Sequence, residues 1–230
     1  MKIYLVGGSL RDEILGVKSN DIDFAVEADS YAEMKEWIIS KGGEIFLETE
    51  NFLTIRARIG KVSADYVLCR KDSAYGDGRH PDTVEVGDIY DDLARRDFTM
   101  NAIAKDMDNG KYLDPHNGIE HINAHIIHCV GNAYDRFSED NLRMLRALRF
   151  SVTKYMYLSY DIDKQLQNVN LVRSLYKTVS IDRVKDELLK MFQHSTYDSL
   201  EILNRYPTLA DVLWDMADGR LWLKPTLEAR

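Results

Sequence analysis

The sequence predicts an α+β fold, with a small mixed sheet in the first part of the chain and helices after it. Three observations predict it. Short runs that alternate apolar and polar, or read as buried strands, recur before residue 70: Lys2 to Val6, Asp21 to Val26, Leu53 to Ile59 and Val62 to Cys69. An amphipathic segment, Ser30 to Lys41, falls between the second and third of them. From Phe137 onward the apolar residues recur at helical spacing.

Taken in order, Lys2 to Val6 read as a strand, Gly7-Gly8-Ser9 as a turn and Leu10 to Leu15 as the start of a helix. Adjacent glycines between strand and helix allow close approach of a phosphate to N–H groups at the helix N-terminus, so Gly8 and Ser9 are candidate nucleotide-binding residues. Arg11, on the first turn, adds a guanidinium suited to phosphate oxygens. Asp21 and Asp23 follow. In a strand, residues two apart point the same way, so both carboxylates project from one face beside the phosphate cradle. Paired carboxylates next to a triphosphate suit Mg²⁺ and in-line phosphoryl transfer, which makes Asp21 and Asp23 candidate metal ligands and catalytic residues.

Ser30 is a plausible N-cap and Gly42-Gly43 a stop for the helix between them. Glu44 to Phe46, Leu53 to Ile59 and Val62 to Cys69 read as strands, with Gly60 as a turn. Asp65 lies inside the last of these, where a carboxylate is costly unless exposed or paired. It either shares a metal with Asp21 and Asp23 from a neighbouring strand or solubilises an edge strand. Lys71 to Thr83 carries two glycines and a proline and reads as a loop. Asp91 to Lys105 reads as helical, with Arg95, Arg96, Asp97 and Asn101 polar against an apolar face. Asp114 to Gly118 is a turn. His121, His125 and His128, followed by Cys129, have spacings that would align on a helix as a zinc site; a strand over Ile126 to Val130 would split them, and surface histidines are the plainer reading. Phe137 to Phe150 opens on Ser138 as N-cap and places Arg143, Arg146 and Arg149 in one basic row. Helices are expected over 161–169, 171–177, 181–194 and 197–206.

Several of these stretches resemble one family. GGSLRD followed by DID resembles the head of the DNA polymerase β-type nucleotidyltransferases, in the class II branch that holds bacterial CCA-adding enzymes and poly(A) polymerases. Residues 95–102, RRDFTMNA, match the family's RRDFTINA; residues 114–118 match its DPxxG motif; residues 139–150 match its EDxxRxLRxxRF motif; and Asp182 to Leu188 resemble ERxxxEL. The Asp77 to Pro81 stretch resembles the flexible loop of CCA-adding enzymes, which leaves an A-adding step open. The chain departs from the pattern at His121-Ile122 and Ile127-His128, where the family shows Asp-Leu and Leu-Arg.

The resemblance implies an N-terminal nucleotidyltransferase head over 1–136, then an α-helical neck and an abbreviated helical body over 137–230. It implies Asp65 as a third catalytic carboxylate, Arg96 on the triphosphate, and Asp97 with Asn101 on the ribose; a carboxylate and an amide four apart on a helix can bracket a diol. It also implies that Asp140 and Arg143 read the base while Arg146 and Arg149 approach the phosphates. The reaction implied is template-independent addition of CMP and AMP from CTP and ATP to a tRNA 3′ end, with Mg²⁺ as cofactor. Poly(A) synthesis, a toxin that extends tRNA ends and a non-catalytic RNA-binding remnant are the alternatives.

Composition sets bounds on this. At 230 residues, 45% hydrophobic and 30% charged, the chain has the makeup of one large soluble domain or two small ones. The net charge of −8 argues against a bulk nucleic-acid binder. The charge is uneven: residues 139–230 carry 14 Lys and Arg against 13 Asp and Glu, so the acidity lies before them and RNA contact falls more naturally after. No stretch is apolar enough for a membrane span, Met1-Lys2 runs directly into a strand without a signal peptide, and two cysteines make no disulfide framework, so a cytoplasmic protein with no membrane partner is expected. The sequence does not set an oligomeric state.

Overall fold

The computed structural model describes residues 1–18, 21–72 and 84–218; the expected loop at Asp77 to Pro81 lies outside them. Among the described residues, 1–123 form one compact unit and 124–218 a second.

The first unit opens with strand β1 (Lys2–Val6), which runs straight into helix α1 (Gly7–Ile14). Strand β2 (Asp23–Glu27) and helix α2 (Tyr31–Ser40) follow, the helix capped by the Ser30 hydroxyl accepting from the Glu33 N–H. Next come β3 (Glu44–Thr49), β4 (Thr54–Ile59), β5 (Val62–Leu68), β6 (Arg70–Asp72), β7 (Val84–Val86) and α3 (Ile89–Ala94). A 3₁₀ turn over Thr99–Asn101 leads to β8 (Ala104–Asp106), β9 (Tyr112–Leu113) and α4 (Gly118–Asn123).

Seven strands make one mixed sheet in the order β3-β4-β5-β2-β1-β8-β9. Only β2 and β5 run parallel; β1 pairs antiparallel with both β2 and β8. Met34 and Ile38 of α2 bury against Val26, Ile55, Ala57 and Leu68, so an amphipathic helix covers one face of the sheet and anchors the strands that carry the acidic residues. The α+β class and the mixed sheet follow the sequence reading.

Three elements differ from expectation. The helix read over Phe137 to Phe150 is two helices, one ending at Glu139 and one starting at Leu142, and Ser138 lies inside the first instead of capping it. The helix over Asp91 to Lys105 stops at Ala94 and gives way to the 3₁₀ turn and β8. Every residue from Asp97 to Ala104 is buried, so the stretch has no exposed face to mark a helix, and the pairing of Ala104 with Val6 draws its end into the sheet. Strand β3 runs three residues beyond Phe46, with a register shift between Ile45 and Leu47.

The second unit is helical: α5 (Ala133–Glu139), α6 (Leu142–Lys154), α7 (Tyr160–Leu166), α8 (Val169–Thr178), α9 (Ile181–His194), α10 (Thr196–Asn204) and α11 (Pro207–Met216). Two short parallel strands, β10 (Ile126–Ile127) and β11 (Tyr157–Leu158), precede α5 and follow α6. Leu145 and Leu148 of α6 and Val184, Leu188 and Met191 of α9 are buried, at the i, i+3, i+4 and i+7 positions expected of packed helices. No helix among the described residues is long and apolar enough to cross a membrane.

Gly118 shows how tightly the first unit closes beneath the 3₁₀ turn. A Cβ there would stand 2.2 Å from the Thr99 carbonyl oxygen and 2.7 Å from Ile103 Cγ1. The Asp114 carboxylate holds the same backbone, accepting from the N–H groups of Gly118 and Ile119 at 2.6 and 2.9 Å. Gly118→Ala is therefore expected to destabilise the protein by about 1–3 kcal/mol through overpacking. A urea midpoint equal to wild type would show that the turn yields freely.

Candidate active site

The turn between β1 and α1 is built by Gly7, whose φ of +70° is a left-handed conformation that an L side chain adopts only with strain. A Cβ on Gly7 would also lie 3.2 Å from Asp23 Oδ2 and 3.3 Å from Arg96 Nη1. Glycine thus lets a carboxylate and a guanidinium close on the start of the helix. The Ser9 hydroxyl donates to the Val6 carbonyl at 2.9 Å and bends the turn back onto β1. Val6, the N-cap, supplies no side-chain acceptor, so the first-turn N–H groups of α1, Gly8 and Ser9 among them, are left for an anion.

The carboxylates gather on the neighbouring strands. Asp23 opens β2 opposite Val6 and is the register partner of Asp65 on the parallel strand β5. Of the two readings of Asp65, the edge-strand one is thus removed: β5 lies between β2 and β4. Asp21 and Asp65 also line one cavity of about 210 Å³. Burial raises the pKa of the Asp23 carboxyl above its ordinary value, the charges of Asp65 and Asp21 push the same way, and Arg96 and Arg56 pull against them. Arg56 of β4 forks onto Asp65, Nε donating to Oδ1 at 2.6 Å and Nη2 to Oδ2 at 2.7 Å. Sequence reasoning missed Arg56. Its signal was the two-residue turn Gly60-Lys61, which pairs Ile59 with Val62 and so brings Arg56 opposite Asp65.

A second omission is Asp92. This carboxylate is fully buried and binds both arginines of RRDFTMNA: Arg96 donates through Nε and Nη2 to Oδ2 at 3.1 and 2.7 Å, and Arg95 donates through Nε to Oδ1 at 3.0 Å. Burial raises its pKa, but the two guanidiniums more than offset that and hold the carboxyl below its ordinary value. The i, i+3 and i, i+4 spacing was readable in the sequence. Arg96 also donates through Nη1 to the Asn101 carbonyl at 3.1 Å, which completes its placement beside Gly7 and Asp23.

Asp97 and Asn101 do meet, across the 3₁₀ turn instead of along a helix. Asn101 Nδ2 donates to Asp97 Oδ1 at 3.0 Å, and Asn101 Oδ1 accepts from Arg11 Nη1 at 2.8 Å. Arg11 itself is buried and its Nε donates to Asp12 at 2.9 Å. The guanidinium read from the sequence as a phosphate ligand is committed to a polar network that fixes the Asp97–Asn101 pair.

The second unit holds the other expected residues, and it partners them differently. Asp140 precedes α6, with extended backbone; its Oδ1 accepts from the Leu142 N–H at 3.1 Å and its Oδ2 from Arg183 Nη2 at 2.9 Å. Arg143 donates to Glu139 at 2.7 Å, so Asp140 and Arg143 do not share a helical face. Arg149 donates to the buried Glu187 at 2.5 Å and stands 4.0 Å over the Phe150 ring, with Arg146 on the same ring at 5.6 Å. Arg183 and Glu187 are the arginine and glutamate of the DRxxxEL stretch on α9. The three histidines fall on α4, at a left-handed position and after β10, respectively, and among the described residues no group of three or more His, Cys, Asp or Glu converges as a metal cage.

Comparison with known proteins follows this geometry. The Poly A polymerase head domain family matches residues 3–128. A CCA-adding enzyme of Lactobacillus helveticus is 35% identical over 190 residues, covering 82% of this chain and 45% of that protein. The crystal structure of the Bacillus stearothermophilus CCA-adding enzyme in complex with CTP is similar with a TM-score of 0.68 at 31% identity, covering 83% of this chain and 44% of that one. A tRNA nucleotidyltransferase complexed with a primer tRNA and an incoming ATP analog is similar with a TM-score of 0.74 at 29% identity, over 96% of this chain and 60% of that one. The chain spans about half the length of the curated relatives it matches.

Asp92→Asn would leave two guanidiniums around a neutral amide in a buried place, which is expected to cost about 3–5 kcal/mol at neutral pH. A carboxyl whose pKa is depressed by folding contributes stability above its unfolded value of about 3.9 and loses it as pH falls through the folded value. The gap in urea stability between wild type and Asp92→Asn should thus be full at neutral pH and close only below about pH 4. A gap that persists in strong acid would show that the substitution acts by misfit rather than by charge.

Proposed function

The chain belongs to the poly(A) polymerase head-domain family of class II nucleotidyltransferases, which includes the CCA-adding enzymes, and from that premise we propose that it transfers CMP and AMP from CTP and ATP to the 3′ end of tRNA. The observation that carries the reading is the position of Asp23. It stands with Arg96 beside the Gly7 turn on one side and is in register with Asp65 on the other, so phosphate donors and carboxylates gather around one residue.

In the proposed step, the first-turn N–H groups of α1 and Arg96 bind the triphosphate, with Asp97 and Asn101 against the ribose. The acceptor's 3′ oxygen bonds to the α-phosphorus, its proton passes to Asp65, and the bridge to the β-phosphate breaks to release pyrophosphate. Most of the acceleration comes from alignment and charge stabilisation, since phosphoryl transfer asks little covalent chemistry of the protein. The cofactor we propose is Mg²⁺, with Asp21 and Asp23 as its protein ligands. The donor set fits: hard carboxylate oxygens gather here, with Asp23 raised by burial first and then by the charges of Asp65 and Asp21, and Mg²⁺ is ordinarily held by one or two carboxylates plus substrate phosphates. When bound, it would supply Lewis-acid stabilisation of the phosphate oxygens.

We place the chemistry within residues 1–136 and assign Asp140 and Arg143 to base reading and Arg146 and Arg149 to phosphate contact. What supports the second assignment is a basic row held in place by carboxylates of its own unit. A cytoplasmic location is proposed on the cysteine content: two cysteines in 230 residues make no disulfide framework.

The test is incorporation of CMP and AMP into tRNA lacking its CCA end, beside an oligo(A) primer that a poly(A) polymerase would extend. Asp23→Ala should lower the rate roughly 10³-fold or more while the protein still folds. A rate within tenfold of wild type would sink the assignment. A second measurement needs no turnover. Because a raised pKa means that the ionised Asp23 opposes folding once the pH exceeds its folded value, metal-free Asp23→Asn should melt no lower than wild type at neutral pH. A clear drop in its melting temperature in EDTA would mean that the carboxylate holds the fold instead of a metal.

A further inference from the structure

We propose that the cavity beside Asp21 and Asp65 is the subsite for the 3′-terminal nucleotide of the RNA acceptor, with Phe46 as the platform on which its base stacks and Arg56 as a positioning residue for Asp65. This rests on the reading of function above.

The order of the strands separates two approaches to Asp23. On one side, β1 leads to Gly7 and the N-terminus of α1, where the triphosphate binds. On the other side stand β5, β4 and β3, and the cavity opens among them, lined by Asp21, Arg56, Ser63, Ala64, Asp65 and Phe46. In-line displacement requires the attacking oxygen to arrive opposite the departing pyrophosphate. An acceptor hydroxyl must therefore come from the β5 side. At about 210 Å³ the cavity is smaller than the roughly 300–1,000 Å³ of pockets that enclose whole small-molecule ligands, and so takes one part of a nucleotide.

Phe46 is set there by the backbone. Ile45 pairs with Ala57 and Leu47 with Arg56, so Phe46 is the extra residue of a β-bulge and has no partner of its own across β4. Bulges re-aim a side chain, and they gather next to active sites. The ring is 50% exposed, with Arg58 5.5 Å from its centroid, an open aromatic in a place where a strand would ordinarily carry a polar residue. Base–aromatic stacking is indifferent to base identity, which suits an acceptor whose last base changes with each addition. Arg56, the cross-strand partner of Asp65, binds both its oxygens and keeps that carboxylate directed toward β4, while the guanidinium stays 58% exposed at the cavity.

The experiment measures steady-state extension of tRNA lacking CCA by wild type, Phe46→Ala, Phe46→Leu and Phe46→Tyr, and binding of the same tRNA carrying 2-aminopurine as its terminal base. Loss of stacking is expected to raise KM for the tRNA about tenfold in both the Ala and the Leu variants, with KM for CTP unchanged. Phe46→Tyr should keep the wild-type value. The 2-aminopurine fluorescence should be quenched on binding to wild type and Phe46→Tyr, and remain unquenched with the other two. Unchanged tRNA KM and unchanged quenching in both Phe46→Ala and Phe46→Leu, with an active wild type, overturn the subsite and leave the reading of function standing. A wild type that extends no RNA overturns that reading and the subsite with it.

Discussion

The pairing of β2 with β5 places two carboxylates, Asp23 and Asp65, side by side on adjacent strands, with Asp21 two residues away. Partial burial of the Asp23 carboxylate opposes folding, and like charges this close add to the opposition. The neighbourhood is arranged around that repulsion. Arg96 stands on one side of the group and Arg56 on the other, and both pull the Asp23 carboxyl toward its ionised form. The two cations differ in kind. Arg56 forks onto Asp65 near the surface, where solvent screens the pair and its worth to stability is small. Arg96 is fixed from behind by a carboxylate that solvent does not reach.

That carboxylate, Asp92, explains why the arginine of the motif can be trusted to stay put. An arginine side chain has many rotamers, and holding it for a phosphate costs entropy each time a ligand arrives unless the protein has already ordered it. Asp92 orders two at once, and Gly7 lets the tip of one of them approach the backbone. Arg11 plays the corresponding part for Asp97 and Asn101: its guanidinium binds Asn101 Oδ1, which turns the amide nitrogen toward Asp97. Residues that look alike in the motif thus divide into those that face the site and those that hold them.

Much of this was legible in the sequence and some was not, for reasons that differ. Alternation exposed β1, β4 and β5, and Ser30 with Gly42-Gly43 bounded α2, because each is a local signal. The stretch after Ala94 misled because every residue from Asp97 to Ala104 is buried, so no exposed face marks where the helix ends, and the pairing of Ala104 with Val6 decides it. Asp65 could not be assigned without the sheet order, which places β5 between β2 and β4 and which nothing in the residues around Asp65 marks. Phe46 read as the end of a strand because a bulge leaves no mark in a single sequence beyond one residue too many.

For the base reading proposed for Asp140 and Arg143, their partners in the second unit change how selection is to be understood. Hydrogen-bond complementarity with a free carboxylate and guanidinium would reject uracil or guanine by leaving charges unpaired. Here Asp140 already accepts from Arg183 and from the Leu142 N–H, and Arg143 already donates to Glu139. When a wrong base arrives, these groups keep their protein partners and no charge is orphaned, so that penalty is much reduced. On that proposal, discrimination comes from geometry. Asp140 is held by α9 through Arg183, and Arg143 by Glu139 at the end of α5, while Glu187 of α9 holds Arg149, so the edges a base would meet are held in place by ion pairs from two elements. A held edge selects by misfit, as a base that presents its donors in the wrong order finds neither group free to turn toward it.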